Sequence, residues 1–170
     1  MDEIRPMTAV YPGTFDPLTM GHVSLVSRGL EVFDKIILAV AVQTPKAPLF
    51  TIGERLDMAR EVFAGDTRVE VDSFDGLLVQ YAARRGVRAI LRGLRAVSDF
   101  EFEFQLALMN RRLERHVQTV FLMTDYRWLY ISSTIIKQAA SLGGNIRGLV
   151  PEAVVPYLYA KYATRAEPEA

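Results

Sequence analysis

Several short stretches of this chain hold residues whose types and spacing suit the handling of phosphate. The first is Tyr11-Pro12-Gly13-Thr14-Phe15-Asp16-Pro17-Leu18-Thr19-Met20-Gly21-His22. Its small residues permit close backbone approach, and His22 opens an apolar periodic segment whose first-turn amides attract an anion. Thr14 can donate its hydroxyl to a phosphate, and Gly21 presents no Cβ to a phosphate chain. His22 can donate an N–H to charge that develops on a phosphoryl oxygen. A histidine at a helix start also serves as a plain cap or packing residue; the Gly, Pro and Thr around His22 favour the chemical role.

In Gln43-Thr44-Pro45-Lys46-Ala47-Pro48 a single lysine stands between two prolines that limit the freedom of its loop. Lys46 can reach a phosphate from there, although exposed lysines are common and the loop alone fits an ordinary solvated side chain. Arg92-Gly93-Leu94-Arg95 sets two guanidiniums around a glycine, which suits forked contacts with phosphate oxygens and equally suits surface ion pairing. Trp128-Leu129-Tyr130-Ile131-Ser132-Ser133-Thr134 places hydroxyls and free amides at a helix start, a cradle for a triphosphate. One serine suffices for a cap, so the run of hydroxyls exceeds what capping needs.

All of these stretches follow apolar or β-branched runs that read as strands: Thr8–Tyr11, Ile36–Val42, Arg68–Val71, Val87–Leu91 and Val117–Met123. Between the runs, apolar residues recur with helical spacing at Val23, Val26, Leu30 and Phe33, at Ile52, Leu56, Ala59 and Phe63, and at Leu77, Leu78, Tyr81 and Ala82. Thr51-Ile52-Gly53-Glu54 has the spacing of a capping box. Phe100-Glu101-Phe102-Glu103-Phe104 alternates with period two, yet strong helix formers continue through Gln105–Arg115 with no turn between, which assigns the segment to a helix.

Alternating strands and helices imply parallel strands joined by right-handed crossovers. The expectation is an α/β fold: a single-domain, doubly wound, Rossmann-like five-stranded parallel sheet with helices on both faces, spanning residues 1–170. Ligands of such sheets bind beyond the carboxyl ends of the strands, where the phosphate-suited stretches fall. Past the fifth strand, a helix should begin near Ser132–Thr134 and stop at Gly143-Gly144, and a last one opened by Pro151 should start late or kink at Pro156. Residues 164–170 read as a frayed tail.

The 170 residues, 50% of them hydrophobic, suffice for one substantial core. The 20 basic and 20 acidic residues cancel, which leaves no broad positive field for gripping nucleic acid. Cysteine is absent, which excludes disulfides, thiolate nucleophiles and thiolate metal sites. Met1–Pro6 lacks an apolar export segment and no run is long enough to span a bilayer, so neither export nor membrane insertion is expected.

Taken together, Thr19-x-Gly21-His22, Arg92-Gly93-Leu94-Arg95 and Ile131-Ser132-Ser133-Thr134 resemble the motifs of the phosphopantetheine adenylyltransferase family, bacterial-type members of the T/HxGH nucleotidyltransferases. The likeness runs from about Thr8 to the last helix. The first motif alone marks the wider superfamily; joined to Lys46-x-Pro48-x-Phe50-Thr51 and Arg92–Glu103 it is much more specific. The resemblance implies reversible transfer of the adenylyl group of ATP to 4'-phosphopantetheine, giving dephospho-coenzyme A and pyrophosphate. It implies that Thr14, Lys46, Leu78 and Arg92 bind phosphopantetheine, and that Thr14 and Phe15 also touch the nucleotide. His22 would stabilise the transition state, with Lys46 and Arg95 sharing the catalytic work. Further nucleotide contacts would come from Gly93, Leu94, Arg95, Glu103 and from Trp128, Leu129, Tyr130, Ile131, Ser132, Ser133 and Thr134. Magnesium would arrive with ATP rather than at a metal site of the protein, and the enzyme would be a cytoplasmic homohexamer. Because the acceptor phosphate is already anionic, positioning and charge stabilisation should dominate over covalent catalysis.

Some positions depart from the family's usual pattern. Met20 stands where Asn is frequent, Gln43 where Asn or Ser is, and Thr134 where Ser is usual; all three look tolerable. Asp125 adds an acid near the expected triphosphate, where an unscreened carboxylate would repel it. Arg84, Arg85, Arg111, Arg112 and Arg115 sit late in their helices and are expected to face solvent. Phe100, Phe102 and Phe104 are expected in the core or at a subunit contact. Rival readings are a transferase acting on nicotinate mononucleotide or glycerol phosphate, against which Arg92–Arg95 weighs, and a noncatalytic nucleotide-binding module, against which His22 and Lys46 together weigh. A fragment of a tRNA-charging enzyme would share the Gly-His loop but should carry a basic surface.

Overall fold

The strands are β1 (Thr8–Gly13), β2 (Lys35–Ala41), β3 (Val69–Phe74), β4 (Ala89–Leu94) and β5 (Gln118–Met123). In this computed structural model, which describes residues 6–163, they pair in parallel in the order β3-β2-β1-β4-β5. The expectations for the segment before Pro6 and for the tail at 164–170 lie outside the described residues. Helices α1 (Met20–Gly29), α2 (Ile52–Phe63), α3 (Leu78–Arg84) and α4 (Val97–Leu113) fill the connections, and α5 (Ser133–Ser141) and α6 (Val155–Ala163) follow β5.

Central strands β1 and β2 are apolar on both faces because helices cover both faces. One core packs Ala9, Tyr11, Ile36 and Leu38 against Leu25 of α1, Met58 of α2, Ile136 of α5 and Leu158 of α6. The other packs Val10, Ile37 and Ile90 against Val79 and Ala82 of α3. Chain direction explains the division: β1 to β3 step one way across the sheet, and β3 to β5 step back the other way. Right-handed crossovers then put their helices on opposite faces.

Local signals match the element boundaries. Thr51 and Glu54 cap α2 reciprocally, with Glu54 Oε2 accepting from Thr51 N at 2.8 Å and Thr51 Oγ1 from Glu54 N at 3.2 Å, an arrangement that contributes about 1 kcal/mol. Gly143 takes a positive φ after α5, and Gly144 N donates back to the Ala139 carbonyl at 2.9 Å. The last helix does start late: a single 3-10 turn at Glu152–Val154 precedes α6, so Pro156 falls in the first turn, where its missing N–H is harmless. No described helix is long and apolar enough to cross a membrane.

Three features differ from the sequence reading. Strand β4 continues through Arg92-Gly93-Leu94, which pair with Phe121, Leu122 and Met123 of β5 rather than forming a loop after the strand. Pairing is possible because Gly93 faces Leu25 of α1, whose Cδ2 would stand 2.9 Å from an added Cβ; strand alternation then turns Arg92 to the opposite face. Helix α4 exists as expected but buries none of its residues: Phe100, Phe102 and Phe104 are exposed, although Phe100 stacks on Phe104 and meets Phe121 edge-on. Lastly, Arg85 does not face solvent freely but pairs with Glu70 and Asp72 of β3, its guanidinium 5.9 Å above the Tyr81 ring.

Candidate active site

The chain leaves β1 toward β2 and leaves β4 toward β5, so the sheet opens between the carboxyl ends of β1 and β4. A cleft of about 400 Å³ sits at that switch point. Its floor begins with Tyr11, Pro12 and Gly13 of β1, and the next turn folds the Phe15 ring back beneath Gly13. A Cβ on Gly13 would stand 2.8 Å from that ring. Phe15 holds φ of 49°, a strained value for a bulky residue that its near-complete burial sustains.

His22 is the third residue of α1, and its ring takes the place that Glu or Gln fills in an ordinary capping box. Nδ1 lies 3.0 Å from Thr19 N, a group that can only donate, so Nδ1 is the acceptor and the ring hydrogen resides on Nε2. Thr19 Oγ1 in turn accepts from His22 N at 3.3 Å, and Phe15 packs edge-on to the imidazole at 5.1 Å. Burial, helped by the nearby Arg95 charge, lowers the His22 pKa to about 4. The imidazole is therefore neutral at physiological pH: a fixed N–H donor, not a proton carrier. Burial also pushes the Tyr11 phenol up, against the pull of Arg92 and Arg95, and keeps it protonated beside the same cleft.

Both arginines reach the cleft from the β4 side, and each is matched by a carboxylate of α4. Arg92 makes a two-pronged contact with Glu103, Nε to Oε2 at 2.8 Å and Nη2 to Oε1, while Nη1 lies 3.5 Å from the Pro12 carbonyl. Asp99 accepts from both the backbone N and the Nε of Arg95, each at 3.3 Å; Arg95 Nη1 donates to the Ile131 carbonyl at 3.3 Å. Across from them the first turn of α5 enters. Ser132 caps it by accepting from Ile135 N at 3.2 Å, and the Ser133 hydroxyl donates to the Pro17 carbonyl at 2.8 Å. Two of the three hydroxyls thus have structural partners, while the N-termini of α1 and α5 both border the cleft and bring positive dipole ends to it.

Of the residues singled out in the sequence, Phe15, His22, Arg92, Gly93, Arg95 and Glu103 line this cleft, as do Trp128, Ile131, Ser132 and Ser133. Thr14, Lys46, Leu78, Leu94, Leu129, Tyr130 and Thr134 do not. Leu94 is buried in the sheet, Leu129, Tyr130 and Thr134 are exposed, and Lys46 is exposed in the loop after β2. Thr14, Lys46 and Leu78 follow β1, β2 and β3 at the same carboxyl edge, displaced to one side of the cleft. Asp125 is no unscreened acid: it caps the 3-10 turn Tyr126–Trp128, pairs with Arg127 at 2.7 Å, and is held down to about 2 by that partner.

Sequence reasoning gave no site role to Tyr11, Asp99, Phe102 and Thr124, and named Thr19 only as the first position of the Gly-His motif, though all five line the cleft. Two of them carried a signal. Thr19 stands three residues before His22, the spacing of a cap, and Asp99 stands four after Arg95, the spacing of a helical ion pair. Phe102 belonged to an aromatic run read as core or subunit contact, and only the open side of α4 reveals that it faces the cleft.

A doubly wound sheet, a Gly-His turn opening α1 and paired arginines at the switch point define a nucleotidyltransferase; residues 10–139 match the family described as cytidylyltransferase-like. Along most of its length the chain is similar to the phosphopantetheine adenylyltransferase of Nitratidesulfovibrio vulgaris (strain DP4), with 69% identity over 95% of this chain and 87% of that one. The enzymes of that name from Oleidesulfovibrio alaskensis (68% identity, 91% of each chain) and Syntrophus aciditrophicus (56% identity, 91% of this chain and 93% of that one) align similarly. The chain belongs to the phosphopantetheine adenylyltransferase family.

Proposed function

We propose that the cleft transfers the adenylyl group of ATP to the phosphate of 4'-phosphopantetheine, giving dephospho-coenzyme A and pyrophosphate. Family membership supports the reaction and its substrates. The observation that carries it for this site is the neutral His22, whose Nε2–H is fixed by the Thr19 backbone in a cleft shared with two arginines. An anionic acceptor oxygen attacks the α-phosphorus, a new P–O bond forms, and the bond to the β-phosphate oxygen breaks as pyrophosphate leaves. The chain's task is to align the two anions and to stabilise charge on the α-phosphoryl oxygens.

Roles divide along the sheet edge. His22 meets the α-phosphoryl group, and Arg95, Gly93, Glu103, Phe15 and the Trp128–Thr134 stretch hold the nucleotide beside the α1 and α5 N-termini. Thr14, Lys46 and Leu78, over β1, β2 and β3, receive phosphopantetheine together with Arg92. Arg92 and Arg95 are occupied by Glu103 and Asp99, so substrate phosphates must take over guanidinium contacts that the carboxylates now make.

No group of three or more metal-ligating side chains exists among the described residues, and both cleft carboxylates of α4 are committed to arginines. That donor set does not fit a resident cation; magnesium comes with the ATP phosphates. The reading extends to a cytoplasmic homohexamer, for which the uncovered apolar residues of α4 are the natural contact. Pyrophosphate release with ATP and magnesium tests the function: it should require phosphopantetheine, and nicotinate mononucleotide should not replace it. Release with nicotinate mononucleotide alone would overturn the acceptor; silence with both, despite ATP binding, would leave a binding module.

A further inference from the structure

The loops that carry Thr14 and Lys46 are fastened to each other by buried charges that the reaction itself does not use. Arg55, in the first turn of α2, is 1% exposed. Its Nη1 donates to the carbonyls of Thr14 and Ala41, each at 2.9 Å, which ties the turn after β1 to the last residue of β2. Asp16, 4% exposed, accepts from Leu49 N and Phe50 N through its two oxygens, each at 2.9 Å. Lys137 of α5 pairs with the same carboxylate. Segment 42–48, with Lys46 exposed within it, is thereby pinned at both stems to the β1–α1 turn: by Arg55 at Ala41, and by Asp16 at Leu49 and Phe50.

Stability is a poor reason for this arrangement. Withdrawing charges from water is expensive, and well-packed apolar residues of similar size often do as well or better. Arg55 even leaves its Nε buried without a hydrogen-bond partner among the described residues, a cost that calls for an explanation. What apolar packing could not supply is directional bonding to backbone groups at defined places in both loops.

We propose that Asp16 and Arg55 are positioning residues that set the register between the β1–α1 turn and the Lys46 loop, so that Thr14 and Lys46 meet the acceptor phosphate together. This rests on the reading of Lys46 as a phosphate ligand, and the test separates the two. Steady-state kinetics with varied phosphopantetheine, plus ATP affinity, are measured on the full chain for Lys46→Ala, Asp16→Asn and the double variant. Asn keeps the side chain's size but offers one acceptor oxygen where two amides and an ammonium now meet a carboxylate.

Asp16→Asn should lower kcat/KM for phosphopantetheine by roughly ten- to a hundredfold, as a misplaced binding group does, and leave ATP affinity unchanged. The double variant should be no worse than Lys46→Ala, because the register between the two loops that Asp16 sets no longer matters once the Lys46 ammonium is gone. Losses that multiply in the double variant would overturn the proposal while leaving the Lys46 role intact. A fully active Lys46→Ala overturns the Lys46 role, and the proposal falls with it. Should Asp16→Asn not fold, the same cycle with Arg55→Lys, whose shorter stem draws the cation back from the two carbonyls, decides between these outcomes.

Discussion

The β1–α1 turn and helix α4 face each other across one cleft, yet the fold secures them by opposite means. In the turn, Phe15, Asp16, Leu18 and Thr19 are all buried, and His22 is held by hydrogen bonds within its own cap. Helix α4 has no fully buried residue: Phe102 and Met109 are more than half exposed, and, besides the edge-on contact of Phe100 with Phe121, what joins α4 to the cleft side of the sheet is the pair of contacts from Glu103 to Arg92 and from Asp99 to Arg95. The donor proposed for the transition state, His22, is thus preorganised by the core of one chain, whereas the arginine side is set by ionic contacts that an incoming phosphate is proposed to replace. Changes in the turn should therefore appear in kcat, changes at Arg92 in acceptor KM, changes at Arg95 in ATP KM, and changes on the uncovered face of α4 in assembly.

The sharpest test of the first half is His22→Ala. Loss of one preorganised donor should lower kcat by roughly a hundred- to a thousandfold and leave the ATP dissociation constant nearly unchanged. An unaltered kcat would reduce His22 to a cap and end the contrast between the two walls. The same substitution has a pH signature. The folded chain keeps His22 neutral down to about 4 against an ordinary 6.5. In that window the unfolded chain takes up a proton that the folded chain refuses, so stability falls as pH drops through it and is level above it. Denaturant midpoints followed from about pH 7 down to pH 5 should fall less steeply in His22→Ala than in the wild type.

On the other wall, Arg92→Ala should raise the KM for phosphopantetheine by roughly ten- to a hundredfold, the worth of a charge-assisted hydrogen bond, with the ATP KM little affected. A rise confined to ATP would show that the division of the site is drawn in the wrong place. Further out along α4, Met109→Asp puts a charge into the uncovered apolar surface. Sedimentation should then report species smaller than the proposed homohexamer, with the far-UV spectrum of the folded chain retained. A hexamer that persists would move the contact away from α4.

The same contrast governs what the sequence could disclose. Thr19, Gly21 and His22 were legible because capping and close approach restrict residue type locally, and the sheet was legible because its central strands β1 and β2 are apolar on both faces. The end of β4 was not: Arg92 and Gly93 look like loop residues until Leu25 is seen filling the space beside Gly93. Nor could helical spacing reveal that α4 lacks a cover within its own chain. Arg55 and Asp16 are the hardest cases. Arg55 stands between Glu54 and Leu56 like any surface residue of a helix, and Asp16 before Pro17 like any turn residue, because their partners are backbone groups distant in sequence.

Asp125 gives the smallest expected effect, and its smallness is informative. From sequence it was an acid beside phosphates and should have repelled them. In the fold its carboxylate caps the turn Tyr126–Trp128, accepting from Arg127 N at 2.9 Å, and it is matched by the Arg127 guanidinium. An acid so paired presents almost no net field to the cleft, and salt screens what is left. Asp125→Asn therefore removes one charge of a neutral surface pair, and should change the ATP KM by less than about fivefold, the range of exposed ion pairs. Since Arg127 is then left uncompensated near an anionic nucleotide, the change should be toward tighter binding and should fade as salt is raised. A larger, salt-resistant gain would mean that Asp125 does face the triphosphate, and that the nucleotide wall of the cleft extends past Trp128 to the turn it caps.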